Sequence, residues 1–200
     1  VGRMNITIIG CPRLKINISN EKEKGEGSNR LWGFLYTDAK KRIEKLNCKT
    51  VDVISNGGAW ANHIPTSMFL FGFADSIKFI LGHEYTEKFN GYKSDRINED
   101  HRLFTEQIKK ESDIESITGI RRCAEHNIKE MSVIYESREA QRARLLADTD
   151  LLLVYGHYPL SGFPRLVYGN CKNKREFIDI EEIVSNSGIK FRKTSFMESL

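Results

Sequence analysis

Short β-branched runs alternate along the chain with stretches whose apolar residues recur at helical spacing. Residues 4–10 (MNITIIG) form a continuous apolar run ending in glycine and predict a buried first strand. Residues 15–29 are polar and charged with two glycines, which predicts a mobile loop. From residue 30 to 46, Leu31, Phe34, Leu35, Ile43 and Leu46 fall on one face of a helix. Residues 51–55 predict the second strand. Asn56-Gly57-Gly58 then turns into the apolar stretch 59–71, too long for a buried strand, in which Pro65 either kinks the helix or delays its start. Residues 75–81 predict a third strand. The aromatic, polar segment 82–98 has no period. Helices are expected over 99–110 and from a cap at 112–115 to about 127, with Gly119 a weak point. A helix over 137–147, a strand over 150–155, a turn-rich loop over 156–162 and a helix over 164–171 follow. Residues 176–180 and 189–192 read as edge strands. Strands separated by helical segments are the pattern of a parallel α/β sheet. Residues 82–127 interrupt it as a helical insertion after the third strand, and one domain over 1–200 is expected.

Composition narrows the class. Lys plus Arg number 31 and Asp plus Glu 27, a formal charge of +4. That excess is mild and shows no concentrated basic stripe, so a nucleic-acid partner is disfavoured. With 40% hydrophobic and 29% charged residues, the chain has the balance of a globular protein. No apolar run approaches the roughly 20 residues that span a bilayer. Residues 1–3, ahead of Met4, read as a cloning remnant, and no secretory leader pattern follows. Cys11, Cys48, Cys123 and Cys171 are dispersed with no CxxC pair, so reduced thiols, a cytoplasmic setting and no metal are expected. No cofactor is expected.

Four constellations carry candidate chemistry. In the first, a strand runs into Asn56-Gly57-Gly58-Ala59-Trp60 and a helix. Paired glycines allow close backbone approach, and helix N–H groups suit an anion such as phosphate. The plain alternative is a tight strand–helix turn. Trp60 can stack on a base or fill the core, and His63 can act as an acid–base group or be structural. In the second, Arg138 and Arg142 are four apart and share a helix face. They can grip phosphate or form a solvated face pairing with Glu136 or Glu139. The third, from Gly156 and His157 to Ser161, Gly162 and Arg165, follows a strand and lies where open α/β sheets bind ligands. The fourth places Glu99, Asp100 and His101 together. They can supply a general acid or base, or open a helix capped by Asn98.

Together, "ISNGGAWANH", "SREAQRARLLADTDLLLVYG" and the Ser161-Gly162 loop resemble the Rossmann-like superfamily that joins DNA-processing protein A to the lonely-guy phosphoribohydrolases, often called SLOG. "GGAWANH" and "INEDHRLF" resemble a branch with SGGAAWADH-type segments. The resemblance covers most of residues 4–180. It implies a Rossmann-like open, mostly parallel sheet with helices on both faces. It also implies a nucleotide pocket lined by Gly10, Cys11, Gly57 to Trp60, Arg138 and Gly156 to Gly162. Three positions depart from the family pattern. Asn56 disturbs the usual serine–glycine spacing, Glu139 replaces a common asparagine, and GHYPLSGFPR lacks the catalytic glutamate of the phosphoribohydrolases.

The leading expectation is therefore binding of a nucleotide or nucleotide-derived small molecule, with Trp60 or Tyr158 stacking on the base and with homo-oligomers implied by the resemblance. An N-glycosidic hydrolase or transferase acting on a nucleoside monophosphate is the alternative. It would draw on Glu99 or Asp100, with His101 or His63 as proton donor. Single-stranded nucleic-acid binding and a protein–protein module are further alternatives.

Overall fold

A computed structural model describes residues 2–11, 16–18, 21–86, 90–108, 116–126, 129–134, 137–187 and 191–193; of residues 16–18, 21–30, 107–108 and 191–193 it describes the backbone only. Strand β1 is Arg3–Gly10, β3 Thr50–Ser55, β4 Ser76–Leu81, β5 Glu130–Val133, β6 Leu151–Gly156 and β7 Lys174–Asp179. They form one parallel sheet in the order β5-β4-β3-β1-β6-β7, with Ile6 opposite Val53 and Ile8 opposite Leu153. The class expected from the sequence, an open Rossmann-like parallel sheet with helices on both faces, is the one observed.

Two-residue alternation along the strands sets the two faces. Ile6, Ile8, Val53, Phe79, Leu151 and Leu153 pack on one side beneath α1 (Glu21–Glu44), α2 (Ile64–Leu70), α4 (Ser116–Glu125) and α7 (Ile180–Asn186). Ile9, Leu152 and Val154 face the other side, against Val167 of α6 (Gly162–Asn170). Leu145 of α5 (Arg138–Ala147) packs there on Ile54 and Ile80. Continuous burial of β6 explains its near-unbroken apolar sequence.

Several boundaries differ from expectation. Helix α1 begins at Glu21, inside the segment expected to be a loop, and β2 (Ile16–Ile18) lies there too. Leu31, Leu35, Ala39 and Ile43 are buried one turn apart and hold α1 to the sheet. From that nucleus the helix propagates backward through a Glu/Lys-rich segment in spite of Gly25 and Gly27, because extending a formed helix is far easier than nucleating one. Strand β5 gives no signal in the sequence: four half-buried residues are too few to show a period. β8 (Phe191–Lys193) pairs antiparallel with β2 in a separate two-stranded sheet instead of edging the main one. Arg3 belongs to β1 and ion-pairs with buried Asp52, so it is part of the fold and not a remnant outside it. Helix α3 is Asp95–Ile108 and starts earlier than expected. The cap expected at 112–115 lies outside the described residues. No helix among the described residues is long and apolar enough to cross a membrane.

Candidate functional site

The turn after β3 is built around Asn62. Ser55 and Asn56 end the strand, and a 3-10 turn, Trp60–His63, precedes α2, whose first turn holds Pro65. Pro65 thus delays the α-helix and does not kink it, because a proline in the first turn forfeits no helical bond. The Asn62 carboxamide accepts from Gly10 N (2.9 Å) and from Asn56 Nδ2 (3.0 Å), and donates to Gly10 O (3.0 Å) and Ala59 O (3.2 Å). A side chain on Gly10 would meet Tyr155 O at 2.5 Å and Ala61 Cβ at 2.6 Å, so only glycine lets the turn lie this close to β1. Gly57 has φ 71°, and any Cβ there would run into Leu81 and the Tyr92 hydroxyl.

The N–H groups of the two glycines are bonded within the turn. Gly57 N donates to Ser55 Oγ and Gly58 N to Asn56 Oδ1, each at 3.0 Å. Ala59 and Trp60 are buried; Trp60, 3% exposed with φ 53°, packs on Phe104 at 5.1 Å. Trp60 is therefore part of an aromatic core with Trp32 and Phe104, and its ring is not open to a base.

The insertion docks onto this turn. His63 is fully buried and His101 nearly so, and the Ser116 hydroxyl bridges them, 3.2 Å from His63 Nδ1 and 2.7 Å from His101 Nδ1. One hydroxyl proton serves one ring, so the other ring must present Nδ1–H. Phe104 lies edge-on to His63 and Tyr92 stacks on His101, with Tyr92 Oη donating to Gly57 O at 2.7 Å. Burial and the neighbouring His101 push His63 down to about 3. Burial pushes His101 down to about 4, against the opposing pull of the Gly57 backbone and Asp100. Both rings are neutral at pH 7. Asp100 is buried on the same side of α3, whereas Glu99 faces outward and holds Arg102 at 2.6 Å. Glu99 therefore does not join the histidines. Asn98 does not cap the helix; it bonds the Tyr92 backbone N–H and carbonyl and ties the loop to α3. Ser116, Tyr92 and Asn62 escaped sequence reasoning, because hydroxyls and amides show no spacing rule until packing brings them together.

The other loops lie at the strand carboxyl ends. The chain leaves β1 toward β3 on one side and β6 lies on the other, so the sheet reverses direction between β1 and β6. There Cys11 N donates to Tyr155 O at 3.1 Å, and Cys11 Sγ and Leu160 crowd Gly156. His157 is half-buried, Tyr158 is 79% exposed, and Ser161 and Gly162 are exposed where α6 begins. The Ser161 side chain caps nothing. Arg138, exposed, and Arg142, half-buried, stand on the first turns of α5. Helix α5 is anchored at the end of β4: Gln141 Nε2 donates to Ile80 O at 3.0 Å and covers Gly82. Arg138 is thus displaced from β1 by two strands, about 10 Å.

A cavity of about 560 Å³ lies at the opposite, amino end of the sheet, lined by Arg3, Lys78, Lys129, Asp148 and Asp150. Its charges cancel internally. Lys78 pairs with Asp148 and Lys129 with buried Asp52, each at 2.6 Å. A ligand there would have to compete with these pairs, so the cavity is a weaker candidate than the carboxyl ends. Among the described residues no group of three or more His, Cys, Asp or Glu side chains is placed to hold a metal ion. No protein-family model, no curated protein and no solved structure matches this chain.

Proposed function

We propose that the chain binds a nucleotide or nucleotide-derived small molecule across the carboxyl ends of β1 and β6. The observation that carries this reading is the reversal of the sheet between those strands, where Cys11 and Leu160 lie against Gly156 and α6 opens with exposed Ser161 and Gly162. The first-turn N–H groups of a helix lack intrahelical partners and favour negative charge, which suits a phosphoryl group. Tyr158 offers an exposed ring to a base. The glycine–alanine turn after β3 and the α5–β6 unit support placement in the SLOG superfamily, and homo-oligomers belong to the same proposal.

Binding is favoured over N-glycosidic hydrolysis. Cleavage through an oxocarbenium-like state needs a carboxylate at the sugar. Glu99 is engaged by Arg102, and Asp100 is buried beside neutral His101. Thermal denaturation across nucleoside mono-, di- and triphosphates and cyclic dinucleotides tests the reading. A ligand at 100 times its Kd adds about 2.7 kcal/mol, which raises Tm by about 5–10 °C for a chain of this size. An unmoved Tm across the panel, with nothing carried through gel filtration, removes the reading. Free base in the reaction mixture would replace it with the hydrolase.

A further inference from the structure

We infer that His83, Arg96 and Arg138 form a subsite for a dianionic phosphoryl group at the carboxyl end of β4, separate from the crevice between β1 and β6. Three chain segments bring these groups to one end of the sheet. His83 directly follows Gly82, which is pressed against Gln141 on the first turn of α5, one turn from Arg138. The loop that carries His83 folds back on itself: Lys93 N donates to Glu84 O at 2.8 Å, and Asn98 clamps Tyr92 from α3. That return brings the chain back alongside the end of β4 just before α3, whose first turn carries Arg96 three residues after Lys93.

The positive charges of Arg138 and Arg96 both reach the His83 ring. After partial desolvation, they are what lowers its pKa. The nearest acid in the loop, Glu84, is held by Lys93 at 2.5 Å. Among the described residues no carboxylate lies within ion-pair distance of Arg96 or Arg138. Elsewhere, Arg3, Arg42, Arg102 and Arg144 each hold a carboxylate. Two exposed guanidinium groups with an imidazole between their chain segments suit an anion with several acceptor oxygens, and guanidinium geometry matches phosphoryl oxygens.

The inference rests on the proposed function for one consequence only. The subsite lies two to three strand spacings, about 10–15 Å, from the start of α6. A nucleotide that fills both places carries two well-separated phosphoryl groups.

Sulfate is the probe for the subsite itself, because its charge is constant between about pH 5 and pH 8, where histidine titrates. Imidazole resonances of the full chain are followed by NMR at constant ionic strength, with His83→Gln identifying the His83 signal. The expected result is a saturable shift of His83 with a rise in its pKa. Arg96→Gln and Arg138→Gln should each weaken binding about tenfold or more, the usual effect of losing a charge-assisted hydrogen bond. Arg102→Gln, on the outer face of α3, should leave it unchanged. A linear, non-saturating drift, or equal affinity in Arg96→Gln, overturns the subsite. If sulfate binds as expected but no nucleotide does, the subsite stands and the proposed function falls. If nucleotides bind with affinity unaltered by Arg96→Gln and sulfate does not saturate, the proposed function stands and the subsite falls.

Discussion

Asn62 shows how much of this turn one side chain holds. Its carboxamide meets both the N–H and the carbonyl of Gly10, so the end of β1 and the turn after β3 are one unit. Asn62→Ala would leave the buried Gly10 N–H without its acceptor, at a cost of about 1–3 kcal/mol. Asn62→Asp would keep that acceptor and turn an oxygen toward Gly10 O, and should be at least as damaging. Urea denaturation of the two variants measures this, and a change under about 0.5 kcal/mol in both would contradict it. Gly57 is the companion case. Gly57→Ala must adopt a left-handed backbone and displace Leu81 and Tyr92, so it should lose about 2 kcal/mol or more by the same assay.

At the scale of an element, α3 has two faces. Glu99, Arg102 and Glu106 form an exposed ion-paired row, while Asp100, His101 and Phe104 face inward onto His63, Trp60 and Tyr92. The exposed row contributes little to stability, as surface pairs do. The inward face makes the protein sensitive to acid. Unfolded histidine titrates near 6.5, whereas His63 and His101 in the folded chain titrate near 3 and 4. Between those values the unfolded state binds more protons, so stability falls as pH drops below about 6.5 and the loss accumulates toward pH 4. Its size is on the order of a few kcal/mol. Urea midpoints taken from pH 7 to pH 4 should show this slope, and His101→Gln should flatten it. An unchanged slope in His101→Gln would show that other groups cause the acid loss.

At the scale of the molecule, the two ends of the sheet are chemically unlike. The amino end carries cations and carboxylates that neutralise one another around a cavity. The carboxyl end carries an exposed helix start and the arginines Arg96 and Arg138, which hold no carboxylate among the described residues. A nucleotide bound as proposed should protect amides at residues 157–163 and at Cys11 from hydrogen exchange. It should leave those around Asn5 and Asp150 unchanged. Protection confined to the amino end would place the ligand in the cavity instead.

The α/β class and most element positions were legible in the sequence. Five of the six parallel strands announce themselves by short apolar runs, and the apolar spacing of Leu31, Leu35 and Ile43 marks α1. These signals are local, because burial imposes a period on each segment separately. The early start of α1, the short β5 and the pairing of β2 with β8 were not legible, since each depends on contacts made elsewhere in the chain. The candidate residues divide the same way. Sequence alone singled out the glycine turn, both arginines, His63 and His101. Only the tertiary structure decided that Trp60 is core, that Gly57 and Gly58 bond their own strand end, and that Glu99 faces outward. It also joined His63 to His101 through Ser116. Burial and long-range partners are properties of the folded arrangement, and no spacing along the chain encodes them.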